Sequence, residues 1–201
     1  GYPVMLKAAA GGGGRGMRIV HKPEDLIAEF NSATNEAKKA FGNGDIFIEK
    51  YLECPKHIEI QVMGDKYGNI VHLYERECSI QRRHQKVIEF TPAIALTEEQ
   101  RTAICNDAIK LAKAVNYRNA GTLEFLVDKH GNHYFIEMNP RIQVEHTISE
   151  EITGVDLVKE QIRVAAGEKL SISQKDIHIN GHVIECRINA EDSENGFLPS
   201  S

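Results

Sequence analysis

Gly121-Thr122-Leu123-Glu124-Phe125-Leu126-Val127-Asp128-Lys129-His130-Gly131-Asn132-His133-Tyr134-Phe135-Ile136-Glu137-Met138-Asn139 reads as two strands joined by a tight turn. Leu123, Phe125 and Val127 point to one face and Glu124 to the other. On the return strand Glu137 and Asn139 share a face that Ile136 and Met138 oppose. A turn centred on His130-Gly131 sets Glu124 directly across from Glu137. Like charges opposed at roughly 5 Å destabilise a sheet, and their apolar neighbours would strip them of water. A divalent cation removes the conflict: oxygens of Glu124, Glu137 and Asn139 suit Mg2+ or Mn2+ holding nucleotide phosphates. The residues alone leave a second reading open, two solvated glutamates on an exposed face, and a bulge at Gly131 would shift the register. His130 and His133 flank the turn and read as solvated.

Outward from this hairpin the chain alternates strands and helices. Pro3–Ala10 and Met17–Val20 read as strands, and Pro23 opens a helix that Gly42 and Gly44 stop after Phe41. Asp45–Tyr51 is a third strand. In Lys56–Gly64, Ile58, Ile60 and Val62 alternate with His57, Glu59 and Gln61, and Asp65-Lys66-Tyr67-Gly68 turns the chain back into Asn69–Glu75. Residues 76–96 read as irregular and charged. Thr97 with Gln100 offers a capping box for a helix to about Asn116. Helical patterns follow near 143–152 and 155–166, and a strand at His182–Asn189. The expected fold class is mixed α/β, of the α+β kind, with mostly antiparallel hairpins. A boundary near residues 76–86 is expected to divide a small lobe, 1–76, from a larger one, 77–201.

Gly11-Gly12-Gly13-Gly14-Arg15-Gly16 satisfies GxGxxG, but a dinucleotide fingerprint needs a helix to start within the loop. Here a strand follows, and no Gly-Lys-Ser/Thr completes a Walker motif. What fits is a flap between two strands whose bare N–H groups cover phosphates, with Lys7 as a nearby cation. A flexible surface loop is the plainer alternative. Gln81-Arg82-Arg83-His84-Gln85-Lys86 concentrates basic groups, a run that is usually a solvated turn. Asn139-Pro140-Arg141-Ile142-Gln143-Val144-Glu145-His146 follows the metal strand directly, and Arg187 lies in Glu185-Cys186-Arg187-Ile188-Asn189. Together these residues suit chemistry on small anions with a base to take a proton.

Composition sets the outer limits. The 201 residues carry 24 Lys+Arg against 29 Asp+Glu, a net charge of −5, which argues against a nucleic-acid binder. No apolar run is long enough to span a membrane. Cys54, Cys78, Cys105 and Cys186 have neither CxxC nor zinc spacing and read as reduced thiols, with a cytoplasmic location expected. The chain opens at Gly1 within a strand and closes at Leu198-Pro199-Ser200-Ser201 within a loop, which reads as a piece of a longer protein.

Lys7 with Gly11–Gly16, Glu49-Lys50-Tyr51-Leu52, Gln81–Lys86, Glu137-Met138-Asn139, Arg141–His146 and Glu185–Asp192 strongly resemble the biotin carboxylase domain of biotin-dependent carboxylases. The resemblance runs in order over essentially the whole chain. It implies an ATP-grasp fold: a small lid lobe with the Gly-rich flap, then a larger catalytic lobe with an antiparallel sheet, continuing into a truncated C-terminal part. Within the family, Asn139-Pro140-Arg141, His146-Thr147-Ile148 and the Asp128–His133 turn look most like the branch that carboxylates pyruvate to oxaloacetate, with the acetyl-CoA and propionyl-CoA branches as alternatives. Another ATP-grasp ligase is the rival enzyme reading.

The resemblance also implies roles. Lys7, the backbone of Gly13 and Gly14, and His84 would hold ATP phosphates; Glu49, Lys50 and Leu52 would meet the adenine edge, and His57 the ribose. Gln81 joins this nucleotide-binding set. Glu124, Glu137 and Asn139 would carry Mg2+ or Mn2+, in agreement with the hairpin register. Bicarbonate would sit among Lys86, Arg141 and the backbone of Gln143 and Val144, with Glu145 as general base. Attack of deprotonated bicarbonate on the γ-phosphate of ATP would give carboxyphosphate, which would decompose to CO2 and phosphate. That phosphate would deprotonate biotin, whose developing oxyanion Arg187 would stabilise, and the biotin nitrogen would attack CO2. The biotin would arrive on a separate carrier domain and pass to a carboxyltransferase domain of a parent protein, itself a homo-oligomer. The 201 residues alone are expected to be catalytically idle.

Overall fold

The computed structural model describes residues 1–11, 16–83 and 85–200, which fall into two compact units, Gly1–Glu53 and Cys54–Ser201. In the first, β1 (Val4–Ala8) is the middle strand of an antiparallel sheet between β2 (Met17–Val20) and β3 (Ile46–Lys50). A 3-10 turn at Pro23–Asp25 leads into α1 (Leu26–Phe41). The helix ends where Gly42 adopts a left-handed φ of +73° and its N–H reaches Lys38 O, a conformation that costs a residue with a Cβ far more. α1 covers one face of the sheet through Leu26, Phe30 and Ala33 against Val4, Leu6, Val20 and Ile46. Arg18 anchors the same face to the helix, 2.7 Å from Glu29 and 2.6 Å from Glu36.

The second unit is built on β4 (Lys56–Gly64), β5 (Ile70–Arg82), β6 (Gln85–Thr91), β7 (Asn119–Val127), β8 (His133–Asn139) and β9 (Val183–Cys186). They form one antiparallel sheet in the order β8-β7-β4-β5-β6-β9. One face is apolar: Ile58, Ile60, Val62, Leu123, Phe125 and Val127 pack with Ile104, Cys105 and Ala108 of α2 (Glu98–Ala114). The predicted capping box starts that helix, with Gln100 N–H donating to Thr97 Oγ1 and Thr97 N–H donating to Gln100 Oε1. At the far end of the other face, Met63, Val71, Leu73 and Ala120 pack under Val155, Val164 and Ile177. Here α3 (His146–Thr153) and α4 (Leu157–Ala165) close the sheet.

Three expectations need correction. The division between compact units falls at Glu53/Cys54, not near residue 76, because β4 and β5 are central strands of the larger sheet. Residues 76–82 and 85–91 are not irregular: they are the end of β5 and the whole of β6, so that Arg76, Glu77 and Glu89 lie within a buried sheet, while Arg82 and Arg83 are exposed where β5 ends. The β7–β8 turn is held by Asn132 and Gly131, with Asp128 N–H on Asn132 O and Gly131 N–H on Asp128 O, so it is centred one half-step earlier than predicted. Near the turn Phe125 faces Phe135 and Val127 faces His133; a bulge between Glu124 and Phe125 then restores the predicted pairing of Glu124 with Glu137.

A second bulge shapes β5. Ile60 pairs with Glu75 but Val62 pairs with His72, and the extra residue is Tyr74, at φ +58°. Alternation from Val71 and Leu73 would carry Glu75 onto their face; the bulge instead turns Glu75 toward α2, where Arg101 Nε donates to it at 2.7 Å. Arg76 takes the vacated side, directly opposite Glu59.

Packing of the apolar face sets the stability of this unit. Ile60→Ala, at a fully buried position, is expected to cost about 2–5 kcal/mol in urea unfolding, whereas Ile94→Ala, exposed on the surface, should cost less than about 0.5 kcal/mol.

Candidate functional site

In the small unit, strand register places Met5, Lys7, Met17, Ile19, Phe47 and Glu49 on the sheet face away from α1. Lys7 Nζ is 2.5 Å from Glu49 Oε2. Met17, Ile19 and Phe47 are exposed around this pair, an apolar surface beside a cation that sequence reasoning missed. Its signal was the alternation of Met5 with Lys7 across from Met17 and Phe47. Lys50 pairs with Val4, and so stands on the opposite face from Glu49; a base lying on the Lys7 face would meet Glu49 and Lys50 differently. Leu52 follows β3. Gly13 and Gly14 lie outside the described residues, as does His84.

The larger unit carries a line of charge across four neighbouring strands. Arg76 on β5 pairs with Glu59 on β4, Glu59 with Glu124 on β7, and Glu124 with Glu137 on β8. One row further, Gln61, Thr122 and Asn139 stand side by side. Three carboxylates in register repel one another, and each is met differently. Lys86 on β6 donates to Glu59, to Glu145 Oε1 at 2.5 Å and to Glu124 Oε1 at 3.5 Å. Arg187, just after β9, completes the chain with NH2 2.8 Å from Glu145 Oε2 and Nε 2.7 Å from Glu89 Oε1. Burial lowers the Lys86 pKa, but Glu59 and Glu124 outweigh this and hold the ammonium well above its ordinary range. Burial would likewise push Glu59 up; His57, Arg76 and Lys86 instead hold it well below the usual carboxylate range.

His57 Nε2 lies 3.0 Å from Glu124 Oε2 and 3.2 Å from Glu59 Oε1, although neither approach has hydrogen-bond alignment. Burial lowers the imidazole pKa, but these two carboxylates overcome it and raise the value to about 9. Gln81 Nε2 donates to Cys78 O at 2.8 Å and faces His57 Nδ1 at 3.1 Å. Charging the ring therefore requires that amide to turn its oxygen toward Nδ1.

Gln143 is buried, its Nε2 donating to Glu124 Oε1 at 3.1 Å and its Oε1 accepting from Arg76 at 2.8 Å. Its backbone oxygen accepts from His146, while Val144 is exposed. Arg141 is exposed and reaches only oxygens of its own neighbourhood, Ile142 O at 3.1 Å and Asn139 Oδ1 at 3.3 Å. Among the described residues it makes no ion pair, which leaves its guanidinium to an anion from outside.

The predicted metal ligands come together: Asn139 Nδ2 donates to Glu124 Oε1 at 2.8 Å and approaches Glu137 Oε1 at 3.5 Å. Glu124 is buried and Glu137 exposed, so the reading of two solvated glutamates fails for Glu124. Among the described residues Glu137 has no cationic partner. The donor set suits a hard cation: two carboxylates and an amide that would present its Oδ1 after a half-turn. His57, Glu59 and Glu124 also offer ligand atoms within 4.8 Å of one another, but Lys86 already bridges Glu59 and Glu124. The side lacking positive charge is therefore the one toward Glu137.

Of the sequence-predicted residues in this unit, His57, Gln81, Lys86, Glu124, Glu137, Asn139, Arg141, Gln143, Glu145 and Arg187 form one connected neighbourhood through these contacts. Sequence reasoning missed Glu59, Arg76 and Glu89. Glu59 was visible as the middle of His57, Glu59 and Gln61; Arg76 and Glu89 gave no local sign, since a bulge and a strand return bring them in.

Residues 1–173 match the family described as carbamoyl-phosphate synthase L chain, ATP binding domain. The 2-oxoglutarate carboxylase small subunit of Hydrogenobacter thermophilus is 62% identical over all of this chain, which spans 42% of that relative. Human mitochondrial pyruvate carboxylase is 57% identical over all of this chain, which spans 17% of it. Among solved structures, the biotin carboxylase domain dimer of the Hydrogenobacter thermophilus enzyme, in complex with MgADP, ADP and bicarbonate, matches at a TM-score of 0.92 and 61% identity, over 99% of this chain and 44% of that one. A biotin carboxylase–β,γ-ATP complex from Campylobacter jejuni matches at 0.93 and 58%, with the same coverage of 99% and 44%. Fold, length of match and identity agree: the chain belongs to the carbamoyl-phosphate synthase L chain ATP-binding family and is a biotin carboxylase ATP-binding domain of the ATP-grasp fold.

Proposed function

We propose that this chain supplies the ATP- and bicarbonate-handling residues of a ligase that carboxylates biotin. The observation that carries the reading is the Lys86–Glu145–Arg187 chain beside the Glu124–Glu137 pair, with Arg141, which makes no ion pair among the described residues, at its edge. A base between two cations, next to an exposed guanidinium, suits a small anion that must lose a proton before it attacks a phosphate. The relatives support it, since the structures named contain MgADP, bicarbonate and an ATP complex.

In this reading Arg141, Lys86 and the backbone of Gln143 and Val144 hold bicarbonate, and Glu145 takes its proton. Lys7, Gly13, Gly14 and His84 hold the phosphates; Glu49, Lys50, Leu52 and Gln81 receive the base and its surroundings, and His57 the ribose. Glu124, Glu137 and Asn139 hold Mg2+ or Mn2+, which supplies charge neutralisation on the phosphates when bound. Arg187 stabilises negative charge that develops on the carboxylated substrate. Residues 1–53 act as the lid and the unit from Cys54 onward as the catalytic lobe. The biotin is carried on a separate carrier domain, and a carboxyltransferase domain of a homo-oligomeric cytoplasmic parent completes the reaction. Among the described residues no helix is long and apolar enough to cross a membrane.

The carboxyl acceptor is a 2-oxo acid, the class to which both pyruvate and 2-oxoglutarate belong. Asn139-Pro140-Arg141 and His146-Thr147-Ile148 favour pyruvate, giving oxaloacetate.

Arg141→Ala and Glu145→Gln in the full-length parent are each expected to lower bicarbonate-dependent phosphate release from ATP by about 100- to 1,000-fold; activity within threefold of the unmodified enzyme would refute these roles. Glu137→Gln is expected to raise the Mg2+ concentration for half-maximal rate by about tenfold or more, read by titrating the metal at saturating ATP. Fixation of labelled bicarbonate should depend on pyruvate; dependence on 2-oxoglutarate instead would reassign the acceptor within the class.

A further inference from the structure

Arg76 is fully buried and touches none of the groups assigned to nucleotide, metal or bicarbonate except Gln143. Its guanidinium nonetheless spends nearly all its donors on side chains of this site. NH1 donates to Gln61 Oε1 at 2.7 Å and Ser149 Oγ at 3.0 Å; NH2 donates to Gln143 Oε1 at 2.8 Å, Thr122 Oγ1 at 3.1 Å and Glu59 Oε2 at 3.3 Å. These partners come from β4, β7, α3 and the loop before α3. One planar fork therefore fixes the sheet and the Arg141–His146 loop against each other, a task for which the guanidinium geometry is suited and an ammonium is not.

Two of these contacts lead on to the reacting region. With its Oε1 held by Arg76, Gln143 has only Nε2 to offer, and that group donates to Glu124 Oε1. Reversing this amide would set its oxygen against the Glu124 carboxylate, so Arg76 decides which way it points. Glu59, held at Oε2 by Arg76, gives Oε1 to Lys86, which in turn donates to Glu145. The backbone feature that brings Arg76 here is the bulge at Tyr74, a non-glycine residue at φ +58°, and bulges beside reactive sites commonly re-aim a side chain in this way.

We propose that Arg76 is a positioning residue: it sets the Gln143 amide and the Glu59 carboxylate, and through them the metal ligand Glu124 and the Lys86–Glu145 pair, without touching substrate. The proposal rests on the site reading above.

The test uses the full-length parent with Arg76→Lys, Gln143→Met and the double variant. Arg76→Lys should lower kcat for bicarbonate-dependent ATP cleavage at least tenfold while changing the KM for ATP less than threefold. Gln143→Met should act in the same direction, and the double variant should be no more than twofold worse than the weaker single. Hydrogen exchange in Arg76→Lys should speed up in residues 141–149 and stay unchanged in α2. Losses that multiply in the double variant, a kcat within threefold of the unmodified enzyme, or faster exchange in α2 as well would overturn the proposal and leave Arg76 a structural residue. Should Arg76→Lys fail to fold, Gln143→Met alone decides: an unchanged kcat overturns the proposal and a tenfold loss supports it. An unmodified parent that cleaves ATP without bicarbonate would refute the site reading, and the exchange measurement would still decide whether Arg76 orders the loop.

Discussion

Like charges set in register across adjacent strands impose the constraint on which the larger unit depends. Glu59, Glu124 and Glu137 occupy consecutive strands on one sheet face, where simple pairing of side chains would drive the sheet apart. Cations arriving from three directions resolve this: Arg76 along the row, Lys86 from β6, and Arg187 from beyond β9 by way of Glu145. Lys86 serves Glu59, Glu124 and Glu145, and Arg187 serves Glu89 and Glu145, while Arg76 meets Glu59 alone among the carboxylates. Removing Arg187 would leave the buried Glu89 without a cation among the described residues, a larger penalty than the loss of an isolated surface pair. The row ends at Glu137, the one carboxylate in it that no side-chain cation reaches among the described residues. A divalent ion is the group whose charge and oxygen preference match that end.

The apolar face of the same sheet explains how such a row can be held. Ile58, Ile60, Leu123 and Phe125 alternate with the acidic residues and pack on α2, so both strands are immobilised by contacts that do not involve charge. Hydrophobic burial on one side fixes the spacing of ionised groups on the other. The site is therefore assembled on rigid strands, with loop residues supplying Arg141, Gln143 and Glu145 at its margin.

Much of this was legible in the sequence where period-two alternation is unbroken. The β4 pattern and the α2 capping box were read correctly, and the pairing of Glu124 with Glu137 was reached from the residues alone. That last success had a compensated error in it: the turn is centred earlier than expected, and the bulge before Glu137 restores the register. Alternation fails where the backbone adds a residue. Nothing in Leu73-Tyr74-Glu75-Arg76 announces that Tyr74 will take a positive φ and that Arg76 rather than Glu75 will face the carboxylates. The return of β5 into β6 was equally hidden, because a charged stretch looks like a loop until its partners across the sheet are known.

The Tyr74 bulge has a consequence for how this segment can change over time. What cannot be relaxed at this chain length is the backbone conformation at Tyr74. Flattening it into regular alternation would bring Glu75 into a neighbourhood already rich in acid and drive Arg76 under α2, inverting the sign of charge on both faces at once. The shape of the chain at one position, more than the identity of its neighbours, is what this stretch has to preserve.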